Sequence, residues 1–195
     1  MLKIIIASML MLISLAHADT KVGIMGTALL STTENDKVDD IAGSDEISKW
    51  TWGIGMRALV GLNERVYVRT GIAYIQKEYD YEYNGALEGS HNYSFAYISI
   101  PATLYIKASP LLGIFGGTAF QAKFDDGCKG SYSDGVTKTQ CKIENDNTLI
   151  LPAILGFDFV LTDHISAEFS YEYALMETMK DTKVSSAVGS LIYNF

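Results

Sequence analysis

The chain has 195 residues, 15 basic and 23 acidic, for a net charge of −8. So acidic a chain lacks the lysines and arginines that phosphate backbones demand, which argues against nucleic acid as a partner. Seventeen glycines, twelve tyrosines and three prolines suit a half-exposed sheet, and no helix-length apolar run follows residue 18, which excludes an inner-membrane helical bundle.

Lys3, the apolar run from Ile4 to Leu15 and the small-x-small site Ala16-His17-Ala18 predict a signal peptide over 1–18. The apolar run is shorter than the about 20 residues of a spanning helix, and no Cys follows it for lipid attachment. The mature domain, 19–195, then carries 14 basic against 23 acidic residues, net −9.

Strand-like runs follow at 20–30, 49–61, 66–79, 93–107, 111–124, 148–161, 165–176 and 185–195. The connections at 62–65, 108–110 and 162–164 are tight. Those at 31–48, 80–92, 125–147 and 177–184 are long and carry most acids and turn formers. Strict alternation of short and long connections is the pattern of an antiparallel up-and-down barrel crossing a bilayer, with short turns in the periplasm and long loops outside. The fold expected is therefore an all-β, eight-stranded transmembrane β-barrel in a Gram-negative outer membrane.

The faces of the runs decide which kind of barrel this is. Trp50, Trp52, Ile54 and Met56 oppose Thr51, Gly53, Gly55 and Arg57; Phe169, Tyr171 and Tyr173 oppose Glu168, Ser170 and Glu172; Leu155, Phe157 and Phe159 oppose Gly156 and Asp158. Bulky residues share one face, small and charged residues the other. A membrane barrel turns the bulky face to lipid, where a mid-depth charge costs about 2–4 kcal/mol. Arg57, Arg69, Lys107, Lys123, Asp158, Glu168 and Glu172 are thus expected inside, as a nearly self-neutralising network. The alternative, a soluble periplasmic lipocalin-like barrel, inverts these faces. Pro101 removes a ladder donor within a strand and predicts a local bulge, or a missing N–H on the unpaired side of a register break.

Cys128 and Cys141 flank a turn-rich stretch and, in an exported protein, read as a disulfide in the third outer loop. Closing such a loop contributes about 3 kcal/mol. No cofactor or metal set is indicated. The acids Asp36, Asp39, Asp40, Asp45 and Glu46 of the first outer loop have no calcium-loop spacing and read as solvated. Tyr79, Tyr81 and Tyr83 alternate with acids above the second long connection, either as an aromatic girdle or as a loop surface for sugars or a partner. Outside the leader only His91 and His164 occur, with no acid placed beside either by spacing, so no catalytic set is indicated. An eight-stranded lumen is just wide enough for side chains, which favours envelope structure or surface interaction over a wide pore. A narrow channel gated by Arg57, Arg69, Glu168 and Glu172 is the alternative.

The chain ends Leu191-Ile-Tyr193-Asn-Phe195, a strand with an apolar face running to the last residue; its exposed edge predicts closure against the first strand. With Tyr97-Ile-Ser-Ile-Pro101-Ala-Thr-Leu-Tyr105-Ile-Lys107, Gly116-Gly117 and Arg65 to Tyr74, the sequence resembles the small outer-membrane β-barrels often labelled "porin family". It is more distantly similar to the transmembrane domain of outer membrane protein A and to outer membrane protein X. Ser99 stands where that family often has an acid. The resemblance implies that Leu191, Tyr193 and Phe195 form the signal read by the β-barrel assembly machinery. It also implies outer-membrane lipids and lipopolysaccharide as surroundings. It does not imply an activity, because function does not travel with this fold.

Overall fold

Strands form here because apolar and polar residues alternate with period two, and each pairs with its sequence neighbour through short turns. The computed structural model describes residues 20–35, 44–84, 88–132, 138–139, 147–178 and 182–195. The strands are β1 (Thr20–Asn35), β2 (Ser44–Gly61), β3 (Val66–Asn84), β4 (Glu88–Lys107), β5 (Leu112–Tyr132), β6 (Lys138–Thr139), β7 (Leu149–Ile150), β8 (Pro152–Val160), β9 (Ile165–Ala174) and β10 (Thr182–Asn194). β7 and β8 are one wall strand interrupted at Leu151, and β6 is a short addition to β5, so eight wall strands close the barrel. Every neighbouring pair is antiparallel, and β10 closes on β1 from Gly23↔Asn194 to Asn35↔Thr182. Beyond that ladder, the Phe195 N–H donates to Val22 O at 2.9 Å.

The short connections are as expected, but strands run on into all four long ones, with β1 reaching Asn35 and β2 starting at Ser44. β3 and β4 pair from Asn84↔Glu88 downward, so 80–92 is mostly hairpin and His91 lies on a strand, opposite Tyr81. β5 runs on to Tyr132, and β10 begins at Thr182. Turn-forming and acidic residues hid these extensions, because above the membrane the outer face of a strand is polar. The predicted leader, Cys141 and the acids at 36, 39 and 40 lie outside the described residues.

Both in-strand prolines sit at ladder gaps. β3–β4 pairing stops at Thr70↔Ala102 and resumes in the same register at Ala73↔Ser99, skipping Pro101. β5 pairs β8 up to Thr118↔Ala153 and β7 from Gln121↔Ile150, skipping Pro152. Pro101 still pairs with Ala119 on its other side, so there is no bulge at this residue, contrary to one of the two readings. The missing donor interrupts hydrogen bonding on one side only. The register shifts lie elsewhere, between Ser48 and Gly53 on β2 and between Ala96 and Tyr97 on β4. Gly71, opposite the Pro101 gap, has φ of 155°, and a Cβ there would collide with the Met56 carbonyl.

The apolar face is outside. Trp50, Ile54, Leu155, Phe169 and Leu191 are among the exposed large residues of this outer belt, with Leu155 64% exposed. A continuous apolar belt on the outside of a closed barrel requires lipid, which removes the lipocalin-like alternative. Trp52, Tyr74 and Phe124 form an outward aromatic cluster, with ring centroids 5.4 and 5.7 Å from Tyr74. Gly61, at the turn end, lies nine residues on from Trp52. At ~3.3 Å per residue and ~40° of tilt that is about 23 Å of height, the apolar band of an outer-membrane barrel. Tyr193 and Phe195, packed edge to face at 5.8 Å, mark the lower rim.

Candidate functional site

The lumen is filled in tiers. At its centre β2 and β3 bring Arg57 and Arg69 against Glu168 on β9 and Asp158 on β8. Arg57 Nη1 donates to Glu168 Oε1 at 2.7 Å and to Asp158 Oδ2 at 3.2 Å. Arg57 Nη2 donates to Asn194 Oδ1 at 2.7 Å and Ser166 Oγ at 3.2 Å. Arg69 forks onto the same carboxylate, Nε to Oε1 at 2.9 Å and Nη2 to Oε2, while its guanidinium lies 4.4 Å from the Phe115 ring centroid. Tyr105 donates its hydroxyl to Asp158 Oδ2 at 3.1 Å. All four charged side chains are buried. Two cations against two anions leave the tier neutral, which is what makes burial of the set tolerable.

A second tier stands nearer the outer surface. Lys77 donates to Glu172 Oε2 at 2.9 Å, and Gln121 Nε2 donates to the same oxygen at 2.9 Å. Lys77 is fully buried beneath the Tyr97 ring. The sequence reading missed it. Its signal was available, since Lys77 lies in the 66–79 run and shares odd parity with Arg69.

Two of the predicted interior charges do not join these tiers. Lys107 is exposed at the short-turn mouth: it has the inward parity but is the last residue of β4, beyond the depth of the Arg57 cluster. Lys123 faces inward on β5 but pairs with Asp126 at 3.1 Å and lies 5.4 Å from the Phe95 ring centroid. The interior is also not merely small and charged. Tyr67, Tyr97, Tyr105 and Phe115 are all buried within it. Glycines make their room: a Cβ on Gly156 would sit 2.5 Å from Phe115 Cζ, and one on Gly113 would strike the Tyr105 ring.

Tyr79 is corrected as a contact residue. It is 1% exposed inside the barrel, stacked on Tyr93 at 5.2 Å and Phe95 at 6.0 Å. Its parity on β3 is that of Arg69 and Lys77, so the tyrosine–acid alternation turns the aromatic inward and the acids outward. Tyr81 and Tyr83 continue the β3 backbone, paired with His91 and Gly89. On the outer face above the girdle, Asp80 holds Lys49 at 2.7 Å and Asn92 at 2.7 Å. His91, higher on the same wall, packs edge-on to Tyr93 at 6.3 Å, and partial burial holds its imidazole below the ordinary histidine range. His164 sits on a short turn, stacked on Tyr193 at 5.9 Å, so the two histidines lie at opposite ends of the barrel. Cys128 is buried on β5 opposite Tyr93. Among the described residues no cluster of His, Cys, Asp and Glu could hold a metal ion.

No protein-family model and no curated protein sequence matches the chain. Solved structures do. The attachment invasion locus protein Ail of Yersinia pestis, in complex with the heparin analogue sucrose octasulfate, aligns at 15% identity and a TM-score of 0.54, over 91% of this chain and all of that one. Neisserial surface protein A aligns at 11% identity and a TM-score of 0.46, over 91% and 100% of the two chains. The outer membrane protein OprG of Pseudomonas aeruginosa aligns at 13% identity and a TM-score of 0.43, over 91% and 96%. The fold is that of the small outer-membrane β-barrels, and the outward apolar belt is the surface that meets lipid.

Proposed function

We propose that the chain is a non-enzymatic outer-membrane barrel that presents an extracellular sheet for envelope structure or surface interaction. The observation that carries this reading is the asymmetry of the wall. The wall strand of β7 and β8 spans 149–160 and β9 has 10 residues, about what a bilayer crossing needs, whereas β2 to β5 have 18 to 21. The surplus stands above the aromatic girdle, and loops and edges at that end are where contact residues concentrate. Meanwhile the lumen is blocked by the two charged tiers, which removes the use of a wide pore.

The outer face of this wall carries Glu78, Asp80, Asp125, Lys49 and Lys129, with Lys49 committed to Asp80. Acids prevail, so the favoured partner is neutral or cationic, unlike the sulfated ligand in the Ail complex. The readings of residues 1–18 as an export leader, of Leu191, Tyr193 and Phe195 as the assembly signal, and of lipopolysaccharide as the surrounding lipid belong to the same proposal. So does a Cys128–Cys141 disulfide bracing the third outer connection.

The test replaces residues 80–92 by Asn-Gly, a two-residue hairpin joining Tyr79 to Tyr93 in their existing register. Cells carrying the shortened barrel should lose adhesion or aggregation shown by cells with the full barrel, while the heat-modifiable gel shift persists. Unchanged adhesion in both strains would overturn the reading.

A second reading is a narrow gated channel. It is favoured by cavities of about 230 and 40 Å³ lined by the two sides of the Arg57–Glu168–Arg69 cluster. Flat single-channel recordings from both the wild type and Arg57→Ala would sink it.

A further inference from the structure

We propose that the periplasmic mouth of the barrel is a binding site for a small organic anion with an apolar body. Below the Arg57 cluster the lumen opens into the cavity of about 230 Å³, room for roughly eight waters at ~30 Å³ each. Its lining divides by chemistry. Leu59, Tyr67, Tyr105 and Val160 supply an apolar wall, with the two tyrosine rings braced edge to face at 5.8 Å. Lys21 and Lys107 border the same cavity and are exposed.

The charge balance sets the sign of the ligand. Arg57 is committed to Glu168 and Asp158, and Asp158 in turn is held by Arg57 and Tyr105. A cation entering the cavity therefore finds its floor carboxylate already neutralised. Lys21 and Lys107 form no ion pair among the described residues. Asp163, on the turn between β8 and β9, is the remaining charge of the lining. Two uncommitted cations against one acid leave an excess positive charge at the mouth of a partly apolar cleft. Such a cleft selects a carboxylate on an apolar body over either a bare ion or a neutral ring.

This site lies at the end of the barrel opposite the extracellular wall, so its fate is independent of the surface-interaction reading. The probe is benzoate, titrated into the mature chain folded in uncharged detergent micelles, with the methyl NMR signals of Leu59 and Val160 as readout. Inorganic phosphate and benzamide supply the charge alone and the ring alone. Benzoate should shift these signals saturably, with a dissociation constant on the order of 1 mM. Lys21→Ala and Lys107→Ala should each weaken binding by about two- to five-fold, the worth of one exposed ion pair, and the double variant should abolish saturation. Both lysines are exposed at strand ends, and retention of the heat-modifiable gel shift checks that each variant is folded. Shifts that stay linear with concentration, that persist in the double variant, or that benzamide reproduces at equal concentration would overturn the proposal.

Discussion

Glu168→Gln removes the one carboxylate that both buried arginines share. Glu168 is 2% exposed and accepts from Arg57 Nη1, Arg69 Nε and Arg69 Nη2. The amide keeps the shape but loses the charge, and its NH₂ group must face a guanidinium. The central tier passes from two cations and two anions to an excess of one buried positive charge. Breaking a buried pair by removing one partner costs about 3–5 kcal/mol, because the stranded charge has no water to replace the lost carboxylate. With a urea slope of about 2 kcal/mol per molar, the unfolding midpoint should fall by roughly 2 M. The assay is reversible urea unfolding of the barrel in lipid vesicles, scored by the fraction that keeps compact gel mobility. A loss below about 1 kcal/mol would put the pair in the range of solvated surface bridges and refute the argument for a dry, mutually neutralising cluster.

Three further outcomes follow from the same geometry. Gly156→Val places atoms where Phe115 Cζ and the Phe169 carbonyl already lie, at 2.5 and 2.6 Å from the new Cβ; it should cost about 1–3 kcal/mol in the same urea assay, and an unchanged midpoint would contradict the inward packing of Phe115. His91 should titrate below 6.5 in the folded barrel, because burial disfavours its charged form. Its contribution is then fully present above the unfolded value and is lost as pH falls through the folded one; an NMR titration midpoint above 6.5 would contradict this. Cys128 and Cys141, if joined as proposed, should resist alkylation in the unfolded, unreduced chain and react after reduction, as mass spectrometry of the intact protein would show.

The sequence by itself determined the barrel. Period-two alternation in the segments around Arg57, Arg69, Asp158 and Glu168 put bulky residues on one face and charges on the other, and the cost of a charge in lipid decided which face was outside. The edge of the last strand required a partner, and β1 is that partner. Depth and partnership were decided by tertiary structure. Parity says that Lys77, Lys107 and Lys123 all face inward. Only the shear and tilt of the closed barrel set their heights: Lys77 is at a buried tier with Glu172, Lys123 is above it with Asp126, and Lys107 is at the open mouth. The tyrosines were ambiguous for a related reason. A large aromatic satisfies lipid or lumen equally well, and Tyr79 is inside because Phe95 and Tyr93 stack with it there. The height of the upper wall escaped for want of an outward apolar face, the signal that marks the bilayer crossing. Above the bilayer a strand is held by backbone pairing with its neighbours, a non-local interaction that leaves little trace in local composition.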